Sequence, residues 1–174
     1  GLKGVEGKYF HRPDIGTWEN VQKTVNHMRK IRVSETVIIR ASESNFLTIQ
    51  EFVSQCPPLE TYPPHVYKIV LRYFSTTCYA AYKEGELAGW LMGFFNQKDD
   101  ETYFLWQIGV SPAHQGEGLG SRIIGHVERD VKKWGGRRIE LTIDAENNPS
   151  RKLFEKNGYR NVSHREGETV TVEG

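Results

Sequence analysis

The sequence predicts an α/β (α+β) fold: a mixed, mostly antiparallel central sheet with helices on both faces. Three observations predict it. Short apolar runs form a meander in the middle of the chain, and segments with apolar residues three and four apart flank it on both sides. No internal repeat relates one part of the chain to another, which leaves a single layered domain rather than an array.

The elements follow in order. Residues 1–35 are polar, with Trp18, Val21, Val25 and Met28 spaced as one helical face, so they are expected as an N-terminal extension, partly helical or loose. Residues 36–174 are expected as one domain, opened by Val37-Ile38-Ile39-Arg40 as a buried strand. A helix over 45–55 takes Ser44 or Asn45 as its N-cap, turns Phe46, Ile49, Phe52 and Val53 inward, and is stopped by Cys56-Pro57-Pro58. A second helix over 66–74 turns Val66, Ile69, Val70, Tyr73 and Phe74 inward. Residues 78–82 and 87–95 make a hairpin, and 102–110 add a third strand. The best-marked helix spans 119–134, with Leu119, Ile123, Ile124, Val127 and Val131 on one stripe and Gly135-Gly136 at its end. A strand over 139–143, a short helix over 149–156 begun by Asn148, and a hairpin over 159–172 around Glu166-Gly167 complete the order.

At 174 residues the chain is long enough for one domain with a substantial core. Its net charge of +1 provides no global field for nucleic acid or an anionic membrane, so any anion must be bound locally. Neither nucleic acid nor membrane is therefore expected as a partner. Cys56 and Cys78 lack metal-like spacing, and a reducing compartment suits them. The longest apolar run, 87–95, falls far short of the roughly 20 residues that span a bilayer. A cytoplasmic protein is the expectation. His11, His27, His114, His126 and His164 show no metal spacing, so no metal is expected.

Between the strand ending at Val110 and the helix starting near Leu119 lies Gln115-Gly116-Glu117-Gly118-Leu119-Gly120-Ser121. The first turn of a helix has unpartnered N–H groups and a partial positive charge, and glycines let a bulky anion touch the backbone. A triphosphate loop would need a lysine after the last glycine, and a dinucleotide loop a third glycine where Ser121 stands.

Gln-x-x-Gly-x-Gly at Gln115, Gly118 and Gly120, after Ile108-Gly109-Val110, resembles the acyl-CoA loop of the GNAT superfamily of N-acetyltransferases. Asn147 to Tyr159 resembles the second signature of that family, N-x-x-A-x-x-L-Y-x-x-x-G-F. The resemblance implies a splayed strand pair that takes acetyl-CoA as acyl donor. It implies that the backbone of Ile108, Gly109 and Val110 pairs with the donor's carbonyl and pantetheine arm. It assigns the rest of the donor site to Gln115, Gly116, Glu117, Gly118, Leu119, Gly120, Ser121, Asn147, Ser150 and Phe154. Many relatives carry a tyrosine acid at the position of Phe154, which cannot donate a proton, so either another group does so or the thiolate leaves unassisted; Tyr159, the nearby phenol, is a further catalytic candidate, although the resemblance gives its position to a core aromatic.

An alkyl amine with a pKa of about 10.4 must lose a proton before it attacks, so a base, a water relay or a desolvating pocket is required. The stretch from Cys56-Pro57-Pro58-Leu59-Glu60 to Trp106-Gln107 resembles the diaminobutyrate acetyltransferases of ectoine biosynthesis, with Glu60 in place of their aspartate and His65 in place of their tyrosine. That resemblance implies a small diamino acid or polyamine-like amine as acceptor. Glu60 and His65 are its candidate catalytic residues, and Glu60, His65 and Trp106 would bind the acceptor. Each also reads as ordinary structure: a turn residue, a surface residue and a core residue. An acetyltransferase for protein amines and a non-catalytic acyl-CoA sensor remain open, as does a homodimer.

Overall fold

The apolar runs build one sheet from β1 (Val37–Arg40), β2 (Tyr79–Lys83), β3 (Glu86–Asn96), β4 (Asp99–Val110), β5 (Arg138–Ile143), β6 (Arg160–Ser163) and β7 (Val170–Glu173). The helices are α1 (Phe46–Ser54), α2 (Pro64–Phe74), α3 (Leu119–Lys133) and α4 (Asn148–Lys156). This computed structural model describes residues 36–163 and 170–173. The helix expected within 1–35 and the turn at Glu166-Gly167 lie outside the described residues.

The described strands lie in the order β1-β2-β3-β4-β5-β7-β6, and every pair is antiparallel except β4 with β5. Side chains alternate between the two faces. Tyr79, Ala81, Leu91 and Leu105 meet Leu119, Ile123, Ile124, Val127 and Val131 of α3 and Phe154 of α4. Ala80, Trp90 and Met92 meet Ile49, Phe52 and Val53 of α1 and Tyr67, Val70 and Leu71 of α2. Each such aliphatic side chain stabilises the fold by about 1.5–3 kcal/mol on burial.

Several details differ from the sequence reading. β1 is an edge strand among the described residues, with Val37 and Ile39 each 48% exposed, because its few residues pair on one side with β2 alone. α2 begins at Pro64, where a missing N–H costs nothing, and its buried stripe is Tyr67, Val70 and Leu71; Ile69 and Tyr73 face outward. The apolar residues of α2 occupy more than one stripe, so spacing alone did not identify the inner one. Asn45 stands at the α1 N-cap without a side-chain cap bond, because a 3-10 turn over Glu43–Asn45 precedes it and is itself capped by Ser42. The α4 cap is Asn147 rather than Asn148: its Oδ1 accepts from the Ser150 N–H at 3.1 Å.

β4 hydrogen-bonds to β5 only from Thr102↔Arg138 to Leu105↔Leu141. Directly beyond, the register against β3 slips: Gly93 pairs with Leu105 and Met92 with Gln107, leaving Trp106 as the extra residue of a bulge. The bulge bends β4 where its pairing with β5 stops, so the strands part.

Candidate active site

The parting of β4 and β5 leaves the end of β4 paired on one side only. The Ser111 N–H donates to the Ala88 carbonyl at 2.9 Å, which fixes the alternation: Gly109 and Ser111 address β3, whereas Ile108 and Val110 turn their N–H and C=O groups into the gap. The Val110 carbonyl accepts there from Gln115 Nε2 at 3.4 Å. Gly109 allows a second close approach. A Cβ on it would stand 2.6 Å from Leu59 Cδ1, so a side chain there would push the Leu59 methyl off the strand.

After β4 the chain makes a 3-10 turn over Pro112–His114 and enters the glycine loop. Gly116 and Gly118 both have φ of +79°, the left-handed region where a side chain is strained. Gly118 is the N-cap of α3 and no side chain caps that helix; the first bond within the helix is Arg122 N–H to the Gly118 carbonyl at 3.1 Å. The N–H groups of Leu119, Gly120 and Ser121 are thus left for a ligand. Ser121 Oγ accepts from Asn157 Nδ2 at 3.0 Å and ties the start of α3 to the end of α4.

Glu117 puts a negative charge in this anion cradle, and the fold offsets it. Its carboxylate is ion-paired with Lys83 at the end of β2 and lies 3.4 Å from His114 Nδ1. The Lys83 hydrogen bond holds the Glu117 carboxyl below the usual carboxylate range. A carboxyl with a lowered folded-state pKa adds stability above its unfolded value and loses it as pH falls through the folded one, so this solvent-screened pair contributes at neutral pH and fades in acid.

Gap, loop and the start of α4 enclose a cavity of about 420 Å³, within the range of small-molecule sites. Its walls include Ile108, Gly109, Val110, Gln115, Gly116, Gly118, Leu119, Gly120, Ser121, Asn147 and Ser150. Glu117 and Phe154 do not line it. Phe154 is 1% exposed and packs in the core against Tyr159, ring to ring at 5.1 Å. The catalytic part expected of Tyr159 does not fit its position, since it is 4% exposed, belongs to the core under α3 and stands outside the cavity wall. Burial, with the Glu128 charge added, also pushes its phenol far above the ordinary range. Sequence reasoning missed Pro57, Pro58 and Leu59 as one wall, and His114, Leu153 and Lys156 elsewhere. Lys156 had a legible signal, being the cation in the last turn of the second motif.

Beside the Leu59 wall, Glu60 and Trp106 come together through Tyr62. The Trp106 Nε1–H donates to the Tyr62 hydroxyl at 3.3 Å, with ring centroids 5.4 Å apart. Burial, and with it the nearby Glu60 charge, raises the Tyr62 pKa. Gln107, 5% exposed, is the hub beneath: Nε2 donates to the Glu60 carbonyl at 2.8 Å, and Oε1 accepts from Trp90 Nε1 at 3.2 Å and the Tyr67 hydroxyl at 3.5 Å. His65 lies exposed in the first turn of α2 and makes no hydrogen bond or ion pair with the described residues. Among the described residues no group of His, Cys, Asp and Glu is arranged to hold a metal, and no helix is long and apolar enough to cross a membrane.

Comparison with known proteins agrees with this architecture. Residues 46–159 match the model of the acetyltransferase (GNAT) family. The L-2,4-diaminobutyric acid acetyltransferase of Chromohalobacter salexigens is 32% identical over 134 residues, covering 71% of this chain and 70% of that protein. The enzyme of the same name from Halomonas elongata is 32% identical over 109 residues, 62% of this chain and 57% of its own length. In three dimensions the chain resembles the diaminobutyrate acetyltransferase EctA of Paenibacillus lautus, solved with L-2,4-diaminobutyric acid and coenzyme A: TM-score 0.70, 25% identity, 81% of this chain and 95% of that one. Ard1 of Thermoplasma volcanium shares the fold, with a TM-score of 0.71 at 12% identity over 80% of this chain and 96% of that one. By family the chain is an acetyl-CoA-dependent N-acetyltransferase: it belongs to the acetyltransferase (GNAT) family.

Proposed function

We propose that the protein transfers acetyl from acetyl-CoA to a primary amine of a small diamino acid, with diaminobutyrate as the favoured acceptor. One observation carries the reading: an open strand edge and an uncapped helix start face one cavity, and a carboxylate with an aromatic wall stands beside that cavity. An amide-and-phosphate chain fits the first pair, and a cationic amine fits the second. The backbone of Ile108 and Val110 holds the acyl arm, and the donors of Gln115, Gly116 and Gly118 to Ser121 hold the pyrophosphate. Asn147 and Ser150 border the arm.

Glu60 binds the acceptor ammonium and takes its proton, and Trp106 walls the amine. His65 is the alternative base, read by His65→Ala in the same assay. The neutral amine attacks the thioester carbonyl, the C–N bond forms, the nitrogen gives its second proton to water, and the C–S bond breaks. With Phe154 in the core and no phenol among the described residues that line the cavity, the thiolate leaves unassisted and takes a proton from water, which a thiol with a pKa of about 8.5 tolerates. We place this activity in the cytoplasm, where the two buried thiols, Cys56 and Cys78, stay reduced. A homodimer would use the exposed β1 edge, and light scattering would read it.

The test is thiol release from acetyl-CoA with diaminobutyrate, β-lysine, lysine, ornithine and spermidine. Diaminobutyrate is expected to react fastest. Turnover of none of them, with acetyl-CoA still bound, would turn the reading to an acyl-CoA sensor. Glu60→Ala should lower kcat/KM for the amine by at least about 30-fold, the worth of one hydrogen bond to a charged group, with acetyl-CoA affinity within about twofold of wild type; equal activity removes Glu60 from the site. Lys156→Glu places an anion at the cavity wall and should weaken acetyl-CoA binding by about tenfold at low salt and less at high salt. Equal affinity at every ionic strength would show that Lys156 is not a phosphate partner.

A further inference from the structure

The mechanism above uses the Glu60 carboxylate but leaves open what aims it. Glu60 is exposed, in the irregular segment that leads into α2, and a free glutamate there would sample many rotamers. Two consecutive residues of β4 grip that segment: Gln107 holds the Glu60 carbonyl at 2.8 Å, and Trp106 donates its indole N–H to the Tyr62 hydroxyl at 3.3 Å. The Tyr62 backbone is fixed as well, its N–H donating to the Tyr67 hydroxyl at 3.3 Å, with the two rings 6.3 Å apart.

A phenol has one proton to give. Indole N–H is a donor only, so in the Trp106 contact the Tyr62 oxygen must accept, and its own O–H remains for another partner. We propose that Tyr62 is a positioning residue of the acceptor site: its O–H, released by the Trp106 contact, donates to the Glu60 carboxylate and aims it at the acceptor amine. The proposal rests on the reading of Glu60 as the amine's partner. It is supported by the electrostatics of the phenol: burial, with the charges of Glu60 and of Asp144, the residue following β5, outweighs the opposing Trp106 hydrogen bond and retains the proton. The acceptor would accordingly be a cation that meets the free side of the Glu60 carboxylate next to these rings, as the ammonium of a short diamine or diamino acid does.

Tyr62→Phe keeps the ring and removes only the hydroxyl. It is expected to lower kcat/KM for diaminobutyrate by about tenfold while leaving the KM for acetyl-CoA within about twofold. In the Glu60→Ala background the same change should cost less than about twofold, because the group it aims is gone. Equal losses in both backgrounds, or no loss in Tyr62→Phe, would overturn the proposal, since a phenol that served only as packing would act independently of Glu60. The same double-mutant cycle on thermal unfolding without substrate reads the contact itself. Non-additive melting shifts in a protein that acetylates no amine would keep the Tyr62–Glu60 contact and discard the acceptor assignment. Additive melting shifts together with additive rates would discard the contact and leave the assignment standing.

Discussion

Gly120→Glu is expected to lower acetyl-CoA affinity by at least about 100-fold, equivalent to about 2.7 kcal/mol. Gly120 is in the first turn of α3 and faces the cavity, and a Cβ there would stand 3.1 and 3.2 Å from the two Leu153 methyl carbons. Those are the ends of a flexible side chain and give by a few tenths of an ångström. The decisive effect is charge. A carboxylate about 4 Å from a phosphate repels it by about 4 kcal/mol at an effective dielectric near 20. Gly120→Ala separates the two effects: it adds the contact without the charge, favours the helix by about 1 kcal/mol, and should cost less than tenfold in affinity. Calorimetric titration with coenzyme A reads both variants, and circular dichroism confirms that each is folded. Undiminished affinity in the glutamate variant would move the pyrophosphate away from the start of α3.

Gln107→Leu is expected to destabilise the fold by about 2–4 kcal/mol and to impair acceptor use at the same time. The side chain is 5% exposed and satisfies three groups that leucine cannot: the Trp90 indole N–H, the Tyr67 hydroxyl and the Glu60 carbonyl. Trp90 is fully buried and water does not replace the lost acceptor, so its N–H bears the full cost of desolvation. Urea unfolding would measure the loss, and the KM for the amine should rise in the same variant because Glu60 is no longer anchored. A change below about 1 kcal/mol would mean that the hub is dispensable.

The donor half of the site was legible because its information is local. Glycines at 116 and 118 are required by φ and the helix start follows them directly, so a short window of sequence contains both devices, whereas the α4 cap was read one residue late because Asn147 and Asn148 are alike in sequence. The inner stripe of α2 was not legible, since apolar residues lie on both sides of that helix and only the sheet decides which side is buried. The acceptor half depends on contacts between residues about 45 positions apart, such as Tyr62 with Trp106 and Glu60 with Gln107, and no spacing rule reports them. Tyr159 shows the opposite error. Proximity in sequence to Phe154 suggested chemistry, whereas the ring packs into the core.

The extra residue at Trp106 has a wider consequence. In an unbroken strand, neighbours face opposite ways, and one of Trp106 and Gln107 would have been lost to the other side of the sheet. The bulge sends both toward Glu60 and Tyr62, and two residues further on the same strand presents bare backbone to the donor. On the proposed reading, this strand meets the donor with atoms that every amino acid has and the acceptor with atoms that differ between amino acids. A single insertion in one strand would partition such an enzyme: substitutions at Glu60, Tyr62 and the bulge are expected to change its choice of amine and to leave its use of acetyl-CoA intact.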